Sequence, residues 1–270
     1  MALLLACLIW LVALLLAWPF VTREWWLPEP ITALGRVIDQ QMNWTFALTG
    51  AIFALAQFAL GFAVWRFGRK REGPALYTPG NDRWELLWTS AGVILFLGLA
   101  LTGYSAWAEA RFTGAREAPG SPDRLIVEVV GQQFVWNMRY AGPDGRFGPT
   151  NANLIDDAAG NPLGVIRDHP DGEDDLVTPR LALPVNREVE LLLRSKDVIH
   201  NFFVRELRLK LDTVPGLTGR LSFTPEKVGV YEIACSELCG LGHYRMRGFL
   251  EVMEPARFEA WLREQAAYLE

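Results

Sequence analysis

Cys235, Cys239, His243 and Met246 fall within twelve residues, Cys235-Ser-Glu-Leu-Cys239-Gly-Leu-Gly-His243-Tyr-Arg-Met246. His200 sits thirty-five residues upstream, at the end of a run that reads as a strand. The chain has three cysteines and three histidines, and two of each are in this set. Thiolate and thioether donors with imidazole select copper among the metals a cell offers. Two cysteines point to two ions bridged by shared sulfurs, a site built to pass electrons. Other readings stand beside this one. A blue-copper centre uses two histidines, one cysteine and a weak axial methionine, which leaves a cysteine over. Zinc could take two cysteines and two histidines, but it does no redox chemistry and leaves Met246 unexplained. A Cys235–Cys239 disulfide suits an oxidising compartment and gives His200 and His243 no task.

The pattern Cys-Ser-Glu-Leu-Cys-Gly-x-x-His-x-x-Met, preceded by Asp197-Val-Ile-His200, resembles the CuA domain of subunit II of haem–copper cytochrome c oxidase. The resemblance extends more loosely from about residue 43 to the C-terminus. It implies two copper ions held by His200, Cys235, Cys239, His243, Met246 and the backbone carbonyl of Glu237. It also implies a magnesium or manganese ion shared with subunit I, for which the Glu237 carboxylate is a suitable hard donor. Gly131-Gln-Gln-Phe-Val-Trp136 corresponds to the family's aromatic segment near copper, with Phe134 where a tryptophan commonly receives the electron. Phe134 and Trp136 are thus electron-entry candidates, with plain packing as the competing role. Glu85, in Trp84-Glu85-Leu-Leu-Trp88, matches a glutamate at the entrance of a proton channel; the competing reading is an acid snorkelling at the interface. Arg245 and Arg247 flank Met246 and are candidates to pair with haem propionates or carboxylates of subunit I. Asp197, Lys210 and Asp212 match family positions that brace the ligand loop.

The implied partners are oxidase subunits I and III, cytochrome c or a similar small carrier, and the lipid membrane, with no nucleic acid. The implied activity is electron entry into an oxygen-reducing, proton-pumping oxidase. No run of membrane histidines for haem exists here, so the oxygen site belongs to subunit I. The CuA subunit of a nitric oxide reductase and a membrane-anchored copper-delivery protein are the competing functions.

The elements that must position these residues follow from composition. The chain is 51% hydrophobic with eleven tryptophans, too apolar for one ordinary soluble domain. The excess lies at the front, in apolar runs over residues 2–21, 44–65 and 86–107. Each has the length of about 20 residues needed to span a bilayer, and tryptophans cluster at their ends as in an interfacial belt. The first run lacks a basic leading segment and a clear cleavage site, which favours a retained helix over a signal. Arg66, Arg69, Lys70, Arg71 and Arg83 place the loop between the second and third runs in the cytoplasm. The C-terminal portion then lies on the outer, periplasmic face of a bacterial-type cell membrane.

The expected organisation is an apolar helix or signal over 1–21, a transmembrane helical hairpin over 22–110 and a linker over 111–122. An all-β domain over 123–255 and a helix over 256–270 complete it. Strands are expected at 124–130, 132–140, 188–194, 198–204, 208–213, 219–224, 230–235 and 248–253. Many short strands with turn signals argue for a β-sandwich or barrel, and the resemblance implies a cupredoxin-like Greek-key barrel. Residues 142–180, dense in Gly, Pro, Asn and Asp, read as surface loop, with His169 an exposed histidine of no special role. The whole formal charge of −5 falls from residue 111 onward. An acidic face would steer a basic carrier, although the acids at 171–175 also fit an ordinary solvated loop.

Overall fold

Apolar runs of this length leave the backbone no partner but itself in lipid, and helix is the result. The computed structural model describes residues 1–24, 26–68, 77, 79–108 and 124–267. It divides into two units, one of Met1–Pro28 with Val37–Ala108 and one of Glu29–Arg36 with the remainder. The first unit contains α1 (Ala2–Thr22), most of α2 (Ala33–Phe67) and α3 (Asp82–Ala108). All three are long and apolar enough to cross a membrane. Trp10 of α1 stacks on Phe58 of α2 at 5.7 Å and donates its indole N–H to the Phe58 carbonyl at 3.3 Å. Gln41 of α2 donates to Thr102 of α3 at 2.9 Å.

Helix α2 starts eleven residues before the apolar run that marks it. Its cap is Thr32, whose Oγ1 accepts from the Gly35 N–H at 3.0 Å. Hydropathy marks what a bilayer would take, not where the hydrogen-bond ladder begins, so the polar turns carrying Arg36, Asp39 and Gln41 escaped it. Residues 69–71 of the basic loop and the linker 111–122 lie outside the described residues.

The second unit consists of β1 (Leu125–Gln132), β2 (Val135–Tyr140), β3 (Leu176–Thr178), β4 (Arg180–Pro184), β5 (Val189–Ser195), β6 (His200–Val204), β7 (Leu209–Thr213), β8 (Gly219–Phe223), β9 (Gly229–Cys235) and β10 (Arg247–Met253), followed by α4 (Pro255–Ala266). They form two five-stranded sheets, ordered β3-β2-β1-β5-β8 and β4-β10-β9-β6-β7. Each is antiparallel except for one parallel pair, β1 with β5 and β4 with β10. Alternation builds the core: Val127, Val129, Trp136, Met138, Leu191 and Leu193 from one sheet meet Leu181, Leu183, Phe202, Ile233, Leu250 and Val252 from the other. Phe258 of α4 is buried on the same core, with Trp261 and Leu262 packed beside it.

Two expectations are corrected. Residues 132–140 are not one strand: Gln132 ends β1, and Gln133 and Phe134 form the hairpin tip before β2. Nor are residues 142–180 simply a surface loop, for they contain β3 and the first residue of β4. Leu163 and Val165 of this segment form a small second core with Val130 on the outer side of β1. Asp175, 0% exposed, accepts from Arg139 of β2 and from the Gly148 N–H. Polarity suggested solvent because the cation that neutralises Asp175 lies in another strand.

The segment Glu29–Arg36 threads into this unit. Ile31, 2% exposed, joins the core, its N–H donating to the Glu206 carbonyl at 2.9 Å and its carbonyl accepting from the Glu226 N–H at 2.8 Å. Arg36 and Glu226 form an ion pair beside it. Ile31→Ala is expected to cost about 2–5 kcal/mol, the range for truncating a buried isoleucine. Thermal unfolding of the detergent-solubilised chain, followed by tryptophan fluorescence, would register it; an unchanged midpoint would show that the segment is dispensable.

Candidate metal centre

His200 opens β6, paired opposite Thr213, whose hydroxyl donates to its carbonyl at 3.2 Å. Cys235 ends β9, opposite Phe202. The loop that follows carries Cys239 and a single 3₁₀ turn, His243–Arg245, before Met246. The chain returns to its starting point: the Cys235 N–H donates to the Met246 carbonyl at 3.2 Å, and Ser236 to the Asn201 carbonyl at 3.1 Å. The loop requires glycine at 240, where φ is +135° and a Cβ would lie 2.7 Å from the Gln133 amide nitrogen. Gly131 of β1 likewise allows close approach, since a Cβ there would stand 2.8 Å from His200 Cδ2.

The result is a tight cluster of donors. Ligand atoms of His200, Cys235 and Cys239 lie within 4.8 Å of one another. Cys239 Sγ is the hub, 3.8 Å from Cys235 Sγ, 3.6 Å from His243 Nδ1 and 3.6 Å from Met246 Sδ. Cys235 Sγ lies 3.1 Å from the Glu237 carbonyl oxygen. Both cysteines are free and buried. All six expected ligand positions therefore converge, while the Glu237 carboxylate is on the exposed side of the loop.

Whether this cluster fits a metal rests on His200. Its ring is 0% exposed, and Nε2 lies 2.8 Å from Asp197 Oδ1. A carboxylate only accepts, so Nε2 carries the proton and Nδ1 is left with a bare lone pair. That Nδ1 has no hydrogen-bond partner among the described residues. A buried polar atom without a partner is a cost that an ion would remove. The donor chemistry agrees: a buried thioether beside two thiolates suits copper and finds no use in a zinc site.

Electrostatics prepare the same state. Burial pushes the Asp197 carboxyl up, but hydrogen bonds from the Gln133 N–H, from His200 and from the Val198 N–H outweigh it and hold it below the usual carboxylate range. The Asp197 charge is thereby secured against His200. Burial, with Cys235 beside it, pushes the Cys239 thiol up to about 11. A metal must displace that proton to bind, so loading releases protons to solvent.

The two aromatic candidates separate by burial. Trp136 is 1% exposed, its ring 6.0 Å from His200. Phe134 is 36% exposed at the hairpin tip, its ring against Gly240 and Gly242. Only Phe134 offers surface to a docked partner. Leu238, Leu241 and Tyr244 are exposed on the ligand loop. An open cleft of 490 Å³ runs beside Cys235, His243 and Met246, with Glu232, Arg245 and Arg247 on its walls. Glu85 stands in the first turn of α3, where its charge complements the helix dipole; this lies in the helical unit.

Sequence reading missed Gln133, which touches both ligand-bearing segments. A glutamine at a hairpin tip carries no signal of its own; the neighbouring aromatic was the only pointer.

Residues 125–253 match the sequence model of the family described as cytochrome c oxidase subunit II, periplasmic domain. The alternative cytochrome c oxidase subunit 2 of Bradyrhizobium diazoefficiens is 36% identical over 247 residues, covering 90% of this chain and 85% of that protein. Cytochrome c oxidase subunit 2 of Thermostichus vulcanus is 30% identical over 273 residues, covering 89% and 79%. Among solved structures, the periplasmic domain of subunit II of cytochrome oxidase from Bradyrhizobium japonicum is similar over 54% of this chain and 96% of that one, with 26% identity and a TM-score of 0.40. The helical anchor, the two-sheet cupredoxin-like unit and the buried thiol–imidazole cluster thus accompany likeness over nine-tenths of the sequence, and the chain belongs to the cytochrome c oxidase subunit II family.

Proposed function

We propose that this chain is the electron-entry subunit of a haem–copper terminal oxidase, with a binuclear copper centre on the periplasmic side of the membrane. The observation that carries the reading is the buried, unpartnered Nδ1 of His200 beside two free thiols and a thioether. His200 through Nδ1, Cys235 and Cys239 through sulfur, His243 through Nδ1, Met246 through sulfur and Glu237 through its carbonyl would hold two copper ions. Such a pair would supply one-electron chemistry. The protein's part is stiffness: strands β6 and β9 and the loop tied back to them keep the donors in place in either oxidation state.

Phe134, with the exposed apolar side chains of the ligand loop, would receive cytochrome c or a similar carrier. An apolar rim of this kind marks an interaction surface. Arg245 and Arg247, on the wall of the cleft beside the cluster, would face subunit I and its haem propionates. The Glu237 carboxylate, exposed on the loop, would meet magnesium or manganese there. Glu85 would serve at the mouth of a proton channel, and subunit III would complete the assembly.

The test uses the purified full-length chain loaded with copper. Two ions per polypeptide and a seven-line hyperfine pattern, from one electron shared by two equivalent nuclei, are expected. One ion, a four-line pattern or zinc would sink the reading. Co-purification of the large subunit distinguishes an oxygen-reducing partner from a nitric oxide reductase.

A further inference from the structure

The loop that bears Cys239 and the strand that bears His200 meet at a metal, and a bond that also ties them together would keep the donors from parting when the ion changes charge. The structure holds such a tie at the β1–β2 hairpin tip. The side-chain amide of Gln133 donates to the Cys239 carbonyl at 2.6 Å. Its backbone N–H donates to Asp197 Oδ2 at 2.7 Å, while the other oxygen of that carboxylate holds His200 Nε2 at 2.8 Å. One residue thus reaches a cysteine ligand directly and a histidine ligand through one carboxylate.

The seat of Gln133 is constrained on every side. Gly240 leaves room for its amide, where any Cβ would collide with it. The strand before it is fixed by Gly131, whose carbonyl accepts from the Lys196 N–H at 3.0 Å and whose bare Cα faces the His200 ring. The residue after it, Phe134, packs on Gly240 and Gly242 of the ligand loop. The hairpin tip is therefore wedged between both halves of the cluster.

We infer that Gln133 is a positioning residue: it locks the Cys239 peptide and the Asp197–His200 pair into one rigid frame around the metal. This rests on the metal reading of the cluster, not on the identity of the electron donor. A group that orients ligands from behind typically changes metal affinity by about 10–100-fold when removed. Gln133→Met keeps the volume and the backbone N–H to Asp197 but deletes the amide donor. Gln133→Glu keeps the length and sets a carboxylate against the Cys239 carbonyl.

The measurement is the rate at which the copper-loaded full chain surrenders metal to a chelator, together with the hyperfine coupling of the loaded protein and the thermal midpoint of the apo protein. Both variants are expected to release copper about tenfold faster or more, Gln133→Glu the faster, with altered coupling and an apo midpoint equal to the parent's. Parent-like release and spectra would overturn the inference. So would an apo midpoint that falls in step with the loaded one, since that is plain structural damage. Should the parent itself hold one ion, or zinc, the binuclear reading fails on its own; release of that ion from the variants still decides the part played by Gln133.

Discussion

Cys239→Ser is expected, on the proposed binuclear reading, to reduce the copper content from two ions per chain to one or none and to replace the seven-line signal by a four-line one. Cys239 Sγ stands within 4 Å of Cys235, His243 and Met246 together, so no other donor can take over its place. A serine hydroxyl is a harder and far less acidic ligand than a thiol, and soft donors are what retain copper. Loss of affinity should exceed about 100-fold, the upper end of what removing a mere supporting hydrogen bond costs. The β-unit itself should survive, because most of its core comes from the two sheets, the ligand loop adding only Cys239 and Met246. Copper analysis, electron paramagnetic resonance, chelator competition and far-ultraviolet circular dichroism on one preparation would test all four statements. Retention of two ions would refute bridging by this sulfur.

Arg139→Met should cause a large loss of stability at a site outside the metal cluster. Arg139 is buried against Asp175, Glu128 and the Gly148 carbonyl, and Asp175 has no exposure at all. Removing one partner of a buried pair leaves an uncompensated charge and costs about 3–5 kcal/mol. The exposed pair Arg36–Glu226 is the control, and Glu226→Gln should cost less than about 1 kcal/mol.

The pH dependence of the variant carries a definite sign. Burial pushes the Asp175 carboxyl up, and in the parent the hydrogen bonds from Arg139 and the Gly148 N–H oppose that push. Without the guanidinium the folded-state carboxyl titrates well above its unfolded value. Such a group costs little at a pH low enough to protonate it in both states. It destabilises progressively as pH rises through the unfolded and then the folded pKa. The deficit relative to the parent should therefore shrink in acid and be largest at neutral pH. Urea titrations at several pH values would show it; an equal deficit throughout would mean that lost packing, not charge, is the cause.

The convergence of the candidate donors was legible in the sequence because four of the side chains sit in one contiguous stretch and only His200 had to be brought in. The strands β5 to β10 were legible for a related reason: each is a short β-rich run set off by turn signals. What escaped was set by partners far away along the chain. Asp175 reads as a solvated acid until Arg139 is beside it, and Ile31 reads as a loop residue until Glu206 and Glu226 receive its backbone. Strands β3 and β4 are short, and β3 follows directly on the acidic run, so composition averaged them into the loop. The Asp197–Gln133 tie was invisible because half of it is a backbone N–H, which every residue but proline possesses.

The docking of Ile31 also bears on how the protein is made. Synthesis delivers Ile31 to the ribosome exit long before β1, and it must wait for some two hundred residues before Glu206 and Glu226 exist to receive it. A polypeptide in which only one of α2 and α3 crossed the bilayer would strand that isoleucine across the lipid from its socket, since Ile31 precedes both helices and β1 follows them. The Ile31 socket would thus go unfilled in a chain with a single crossing, while a wholly inverted chain would still fill it.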